Sequence, residues 1–459
     1  MRAPSVLCWR TASWDMGEKM AEPMTLGVFF NHTGHHIASW RHPDAQADAA
    51  VNLQHYIDLG RLAESATLDF CFFADAASVR DAPFDILCRS AQYTAYFEPV
   101  TLLSAMATST KRIGLVATAS TSYYEPYNIA RLFGSLDHIS HGRAALNIVT
   151  GGEAAASKNF SRDEHYDHDE RYRRAAEFVE IVKGLWDSWD DDAFVRDKAS
   201  GLFFDPGKVH HLDHKGEFYS VRGPLNLPRP PQGHPVIFQA GFSNAGRELA
   251  ARTAEGVFTS GATFESQKDH YDDVKGRMAK YGRSAKEMRI LPGLTPVMGR
   301  TDAEAREKDA YLQSLIHPDV GKAFAALILE ADLGAFEIDE KLPVLELTAQ
   351  TSGQSRMIRQ RAYDNGWTIR DVYKAYAGSR GKLTMVGSYE KIADQMQHWF
   401  ERGACDGFIF QPAFLPGGLE EIVEHLMPIL QGRGLARSAY RGITLRETLG
   451  LKRPVSRWS

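Results

Sequence analysis

Within its first 150 residues the chain holds four short apolar runs, and each of the first three is followed by a polar loop and then apolar residues at helical spacing. The runs are residues 25–30 (TLGVFF), 68–74 (LDFCFFA), 112–119 (RIGLVATA) and 144–150 (AALNIVT), and segments 52–67, 99–110 and 127–138 carry the helical period. Short runs of this kind suit strands buried on both faces, which are parallel strands linked by helices. After a break the rhythm resumes with runs at 235–240, 256–260, 289–298 and 406–412. Eight such units predict a closed (β/α)8 TIM barrel rather than a doubly wound sheet.

The breaks predict insertions after strands four and seven. The first holds a polar string at 162–172, a long helix over 171–189 and a Pro/Gly-rich stretch, 200–234, with a β-like piece at 217–221. The second, about 311–384, reads as largely helical. Residues 1–23 lack an apolar signal core and are expected to form a disordered extension. The barrel domain is expected over 24–430, and the Arg- and Gly-rich residues 431–459 as a C-terminal tail.

Composition narrows the partner. Lys plus Arg number 53 against 58 for Asp plus Glu, a formal charge of -5, so nothing draws the chain to nucleic acid or an anionic membrane. Cys8, Cys71, Cys88 and Cys405 lie far apart without a CxxC pair, which argues against a zinc knuckle or a disulfide framework and for a cytoplasmic setting. A small molecule or a protein is the expected partner.

A barrel of this class carries its chemistry at the carboxyl ends of the strands. That rule selects residues 31–42, Asp75, 118–122, 150–152 and 241–246. The stretch from Pro235 to Glu248 reads as strand, glycine turn and helix start, with Ser243 at the cap and Arg247 behind it. Free N–H groups and the helix dipole there suit a phosphate, although an ordinary capped turn looks the same. Asp75 closes an apolar strand, where it either caps a turn or accepts from a ligand. Thr118 carries the same ambiguity, because threonine also suits a strand. His32, His35, His36 and His42 lack the spacing of zinc-ligand pairs, so no metal is expected; they are pocket donors or they fix their loop. His165, Tyr166, His168 and Tyr172 could overhang the mouth from the insertion helix. No GxGxxG, GxxxxGK[ST] or GxSxG occurs at a strand end.

Together the strings GHHIASWRHP (34–43), LDFCFFAD (68–75), EPYNIARLFGSLDHISHGRAALNIVTG (125–151), HDERY (168–172), VRGPLNLPRPPQGHPVIFQAG (221–241) and GRELAARTAE (246–255) carry a family resemblance. The chain resembles the oxygenase components of two-component, FMN-dependent monooxygenases of the bacterial luciferase-like superfamily, in the branch of the nitrilotriacetate, EDTA and dibenzothiophene sulfone monooxygenases. The resemblance implies FMNH2 delivered by a separate NAD(P)H:flavin reductase, O2 activation through a flavin C4a-(hydro)peroxide, and oxygenation of a small polar or xenobiotic substrate. By position it implies flavin contacts at Asp75, Thr118, Gly151, His168, Tyr172 and Ser243, and a homodimer or homotetramer. Some relatives carry a histidine where Gly152 stands here, so the acid/base role is expected to pass to His35 or His36 with Tyr172. Arg41, His42 and the second insertion are candidate substrate contacts. A deazaflavin-dependent reductase and a non-catalytic flavin-binding protein are the rival readings; the first lacks productive oxygen chemistry and the second prefers oxidised FMN.

Overall fold

The computed structural model describes residues 22–91, 94–151, 155–347, 351–378 and 380–459. Residues 1–21 of the expected N-terminal extension lie outside that range, as does Gly152. Eight parallel strands close into a barrel: β1 Thr25–Phe29, β2 Phe70–Phe73, β3 Gly114–Ser120, β4 Ala144–Val149, β5 Val236–Gln239, β6 Gly256–Thr259, β7 Arg289–Gly299 and β8 Gly407–Phe410. Each pairs with its neighbour in sequence, and β8 returns to β1 with Gly27 opposite Ile409. This is the (β/α)8 barrel expected from the sequence, with its two insertions where the rhythm broke.

Alternation along the strands fills the lumen with rings. Phe29, Phe70, Phe72, Phe238 and Phe258 form the interior with Val116, Leu291 and Ile409, and Phe72 stacks on Phe258 at 5.7 Å. Glycine at 27, 114 and 256 makes room for them; a Cβ on Gly256 would meet the Phe238 ring at 2.4 Å. Residues 431–459, read above as a tail, pack across the amino end of the barrel. Leu445, Leu449 and Leu451 join the lumenal core there, and a Cβ on Gly114 would lie 2.5 Å from Leu445.

The first insertion starts its main helix, His168–Trp186, slightly earlier than the apolar period suggested. The helix buries Phe178, Val182, Leu185 and Trp186 against the barrel, and the Trp186 indole donates to the Ala130 carbonyl at 2.9 Å. Glu177 on the same helix holds the small hairpin His214–Lys215/Ser220–Val221 by accepting from the Phe218 and Tyr219 amides, each at 3.0 Å.

The second insertion builds its own core from helices Pro318–Leu329, Gly353–Asp364 and Ile369–Ala377, and Ile37 and Ala38 of the loop after β1 belong to that core. It is not helical to its end. Strand Leu383–Ser388 pairs with residues 294–299 of β7, which overruns the barrel by half its length. The sequence reading missed this strand because its rim position leaves only every second residue buried, too few to stand out as an apolar run.

Candidate active site

The turn after β5 is folded tightly enough to exclude side chains. Ser243 takes an extended conformation as N-cap of helix Asn244–Thr253, its hydroxyl oxygen accepting from the Gly246 amide at 3.1 Å. A Cβ on Gly246 would sit 3.0 Å from the Gly241 backbone and 3.2 Å from the Tyr172 hydroxyl; one on Gly241 would strike Gln239 at 2.3 Å. Two glycines thus let the backbone of the turn pack closely on the helix as a tight cradle at its N-terminus, where the first N–H groups have no intrahelical partner. The Ser243 hydroxyl donates to the Tyr172 phenol at 3.3 Å, and the His168 ring lies 4.9 Å from the Tyr172 ring. Ser243 and the His168–Tyr172 pair, 71 residues apart between Tyr172 and Ser243, therefore meet at one seat. Arg247 braces the turn, its Nε donating to the Phe242 carbonyl at 3.2 Å and its Nη1 to Asp273 at 2.7 Å.

Gly151 stands beside this seat with φ +67°, a conformation that favours glycine, and a Cβ there would press on the Ser120 hydroxyl at 3.1 Å. Its carbonyl accepts from the Arg171 guanidinium, which also donates to His165 Nε2 at 2.9 Å.

Asp75 and Thr118 occupy the β2–β3 side. Asp75 lines a small cavity with His32, Tyr96 and Phe73, and burial, assisted by nearby Glu98, raises its carboxyl to about 6. Thr118 is committed within the protein: its hydroxyl donates to the Phe73 carbonyl at 2.7 Å and accepts from Asn147 Nδ2 at 2.8 Å. Asn147 Oδ1 beside it is buried and without a hydrogen-bond partner in the protein. Sequence reasoning passed over Asn147; the available signal was an amide in an otherwise apolar strand, in phase with lumenal Ala145.

The histidines lie across the mouth. The His35 and His36 amides donate to the Pro412 and Ala413 carbonyls at 2.9 and 3.0 Å, which ties the β1 loop to the end of β8. His35 sets its ring edge against Phe29 at 4.5 Å, and His36 Nδ1 accepts from the Ala38 amide at 3.1 Å. Burial, reinforced by Arg380, holds the His32 and His36 imidazoles down to about 4. Burial, then Arg380 and Lys382, keep His35 well below its usual value. All three are neutral at neutral pH. Tyr172 stands at β5 and these histidines at β1 and β8, on opposite sides of the barrel.

Arg41 is spent on the second insertion, donating to the Leu315 carbonyl. His42 stacks on Phe414 at 3.8 Å and faces a separate cleft of about 490 Å³ with Lys308, Tyr389 and Glu421. Among the described residues no group of three or more His, Cys, Asp or Glu side chains is placed to hold a metal ion.

Residues 33–406 match the family model described as luciferase-like monooxygenase. The chain belongs to the luciferase-like monooxygenases. It is 48% identical to N-acetyl-S-(2-succino)cysteine monooxygenase of Bacillus subtilis (strain 168), covering 95% of this chain and 98% of that one. It is 46% identical to nitrilotriacetate monooxygenase component A of Aminobacter aminovorans, covering 94% and 97%. Among solved structures it is similar to riboflavin lyase RcaE with modified FMN and substrate riboflavin, with a TM-score of 0.83 and 33% identity over 95% of this chain and 98% of that one. This luciferase-like chain thus falls in the branch that its motifs indicated. None of its described helices is long and apolar enough to cross a membrane.

Proposed function

We propose that this chain is the oxygenase component of a two-component flavin monooxygenase, which takes FMNH2 from a separate NAD(P)H:flavin reductase and uses O2 to oxygenate a small polar molecule. The observation that carries the reading is the cradle at β5: two glycines in mutual contact, a capping serine and a phenol converge on a helix N-terminus, an arrangement that suits a phosphate monoester. When bound there, reduced FMN supplies the electrons that activate dioxygen.

The rest of the mouth suits that cofactor. Ser243, Tyr172 and His168 would hold the phosphate, while Gly151 lets the backbone approach and Asn147 Oδ1 offers an acceptor near the ring. Asp75, with its raised carboxyl, offers a second polar group on the same side. On the far side, neutral His35 and His36 can exchange hydrogen bonds with the reacting groups without adding charge. The second insertion covers that side through Ile37 and Ala38, and keeping water out protects a reactive oxygen species from discharge.

Anaerobic titration with reduced and with oxidised FMN tests the assignment, followed by turnover with a flavin reductase, NADH and 18O2. Tighter binding of reduced FMN and one labelled oxygen atom in the product are expected. Preference for oxidised FMN with no oxygen transfer would replace this reading with that of a flavin carrier, and activity only with a reduced deazaflavin would make it a reductase.

A further inference from the structure

The loop after β1 holds one imidazole where the backbone resists it. His32 takes φ +32°, in the left-handed region that favours glycine, and it is only 9% exposed. Its Nδ1 has no hydrogen-bond partner in the protein, although buried polar atoms nearly always have one. A strained backbone and an unmatched ring nitrogen in one residue point to a use that the surroundings enforce. Those surroundings are specific: His55 Nε2 donates to the His32 carbonyl at 3.4 Å, and the Tyr96 ring lies 4.9 Å from the His32 ring.

Tyr96 ties this residue to Asp75. Its hydroxyl accepts from the Ala76 amide at 2.9 Å and donates to the Ala76 carbonyl at 2.8 Å, so the ring beside His32 also fixes the turn directly after Asp75. His32 and Asp75 line one cavity of about 30 Å³ at the carboxyl ends of β1 and β2, and Tyr56 of helix Leu53–Ser65 is part of its lining. That volume holds one or two waters, which need polar groups to receive them. The unmatched Nδ1 and the carboxyl are such groups. Asp75 is faced by Glu98, at the start of helix Pro99–Ala107, and by Tyr124 from the turn after β3; His32 is faced by His35 and by Arg380 of the second insertion. With burial and Glu98 raising Asp75 to about 6, and burial and Arg380 lowering His32 to about 4, the carboxyl is the tighter holder of a proton and the imidazole stays neutral.

We infer that water in this cavity joins His32 Nδ1 to the Asp75 carboxyl, and that through it His32 positions Asp75 as the proton donor to the oxygen atom that leaves as water. The inference rests on the proposed function, which brings dioxygen to this mouth. The Asp75 O–H bond breaks, and its proton forms an O–H bond on the departing oxygen. The carboxylate left behind accepts a hydrogen bond from the cavity water, whose other hydrogen goes to His32 Nδ1. Of the two protons released as FMNH2 is reoxidised, one completes the product water and one restores the carboxyl, so no further reactant is needed. His32 is thus a positioning residue: a neutral acceptor that keeps the water turned toward Asp75.

The test begins with the ligand-free full chain carrying 13C-carboxyl aspartate, followed by difference infrared spectroscopy from pH 4 to 8 with Asp75→Asn as the blank. The parent midpoint should lie near 6. His32→Leu keeps bulk but offers the water no acceptor, so the carboxylate loses a donor and the midpoint should rise by about one pH unit. His32→Gln restores an acceptor and should bring it back. His32→Gly suits the backbone and gives a second route, since added imidazole should return its midpoint to the parent value. Stopped-flow reoxidation of bound FMNH2 by O2 then reads the role itself: the rate should fall as pH rises through each variant's own midpoint, and Asp75→Asn should be flat. An unchanged midpoint in His32→Leu, or failure of both glutamine and imidazole to restore it, would overturn the link. A rate profile that ignores the midpoints would overturn the donor role. Loss of the flavin reading looks different: no chain would then bind FMNH2, while the midpoint still followed residue 32.

Discussion

The two ends of the barrel treat buried polar groups in opposite ways. At the amino end most of them are matched, Arg446 Nε being an exception. Arg143, at the foot of β4, is buried and donates five hydrogen bonds, to Ser140, Ile113, Ala107 and Thr110 carbonyls and the Thr110 hydroxyl, at 2.8–3.1 Å. Asp137 accepts from the Ala144 amide and twice from Gln232, whose side-chain oxygen accepts in turn from the Arg446 amide at 2.9 Å. Arg446 completes the chain through its ion pair with Glu255. At the carboxyl end Asn147, Thr295 and Gln411 keep buried atoms without protein partners. The contrast teaches where each end gets its return: the amino end holds the barrel together, and the carboxyl end spends stability to stay ready for ligands.

That division can be broken by mutation. The largest effect is expected at the amino end, where Arg143→Met strands four carbonyls and should cost about 3–5 kcal/mol in urea unfolding, while FMN affinity per folded molecule stays the same. A comparable loss of FMN affinity would mean that the two ends are not separable. At the carboxyl end Ser243→Ala should weaken reduced FMN by about 1–3 kcal/mol in anaerobic titration, with little change in unfolding. Gly246→Ala, which adds a Cβ between Gly241 and Tyr172, should weaken the same binding by about tenfold, roughly 1.4 kcal/mol.

A further effect concerns pH. Asp75 has a folded value of about 6, above its usual 3.8, so the folded chain holds the proton more firmly than the unfolded one. Its contribution to stability is therefore fully present below about 3.8 and is lost as pH rises through about 6. Melting temperatures of the parent and of Asp75→Asn, taken from pH 4.5 to 7.5, should diverge in that window, the variant gaining on the parent as pH rises. Buried Asp69 and Asp137 are raised in the same way and titrate in both proteins, so the difference between the curves isolates Asp75. Parallel curves would show that the Asp75 carboxyl is solvated like an ordinary surface group.

Local chemistry was legible from the sequence and long-range register was not. The eight strands announced themselves as apolar runs, and Ser243 followed by a helical period marked the cradle, because both signals are written within a few adjacent residues. Residues 168, 172 and 243 could be assigned to one site only by resemblance, since their meeting depends on how the insertion helix lies against the helix after β5. Thr118 looked available in sequence but its hydroxyl is occupied by Phe73 and Asn147, two contacts made across strands. Gln411 and Thr295 gave no signal for the same reason: a glutamine after one strand and a threonine within another become a pair only through register. Residues 431–459 read as a tail because their apolar residues are few, yet three leucines spaced for one buried face were enough to seal the barrel.

That seal sets an order of assembly. The rings of Phe70 and Phe72 sit in the first strands to leave the ribosome, whereas Leu445, Leu449 and Leu451 come more than 370 residues later. Until those last residues emerge, the lumen is a funnel open at its base with aromatic rings exposed to solvent. The base of the lumen is thus covered by chain made after all eight strands, and the strands alone leave the Phe70 and Phe72 rings uncovered on that side.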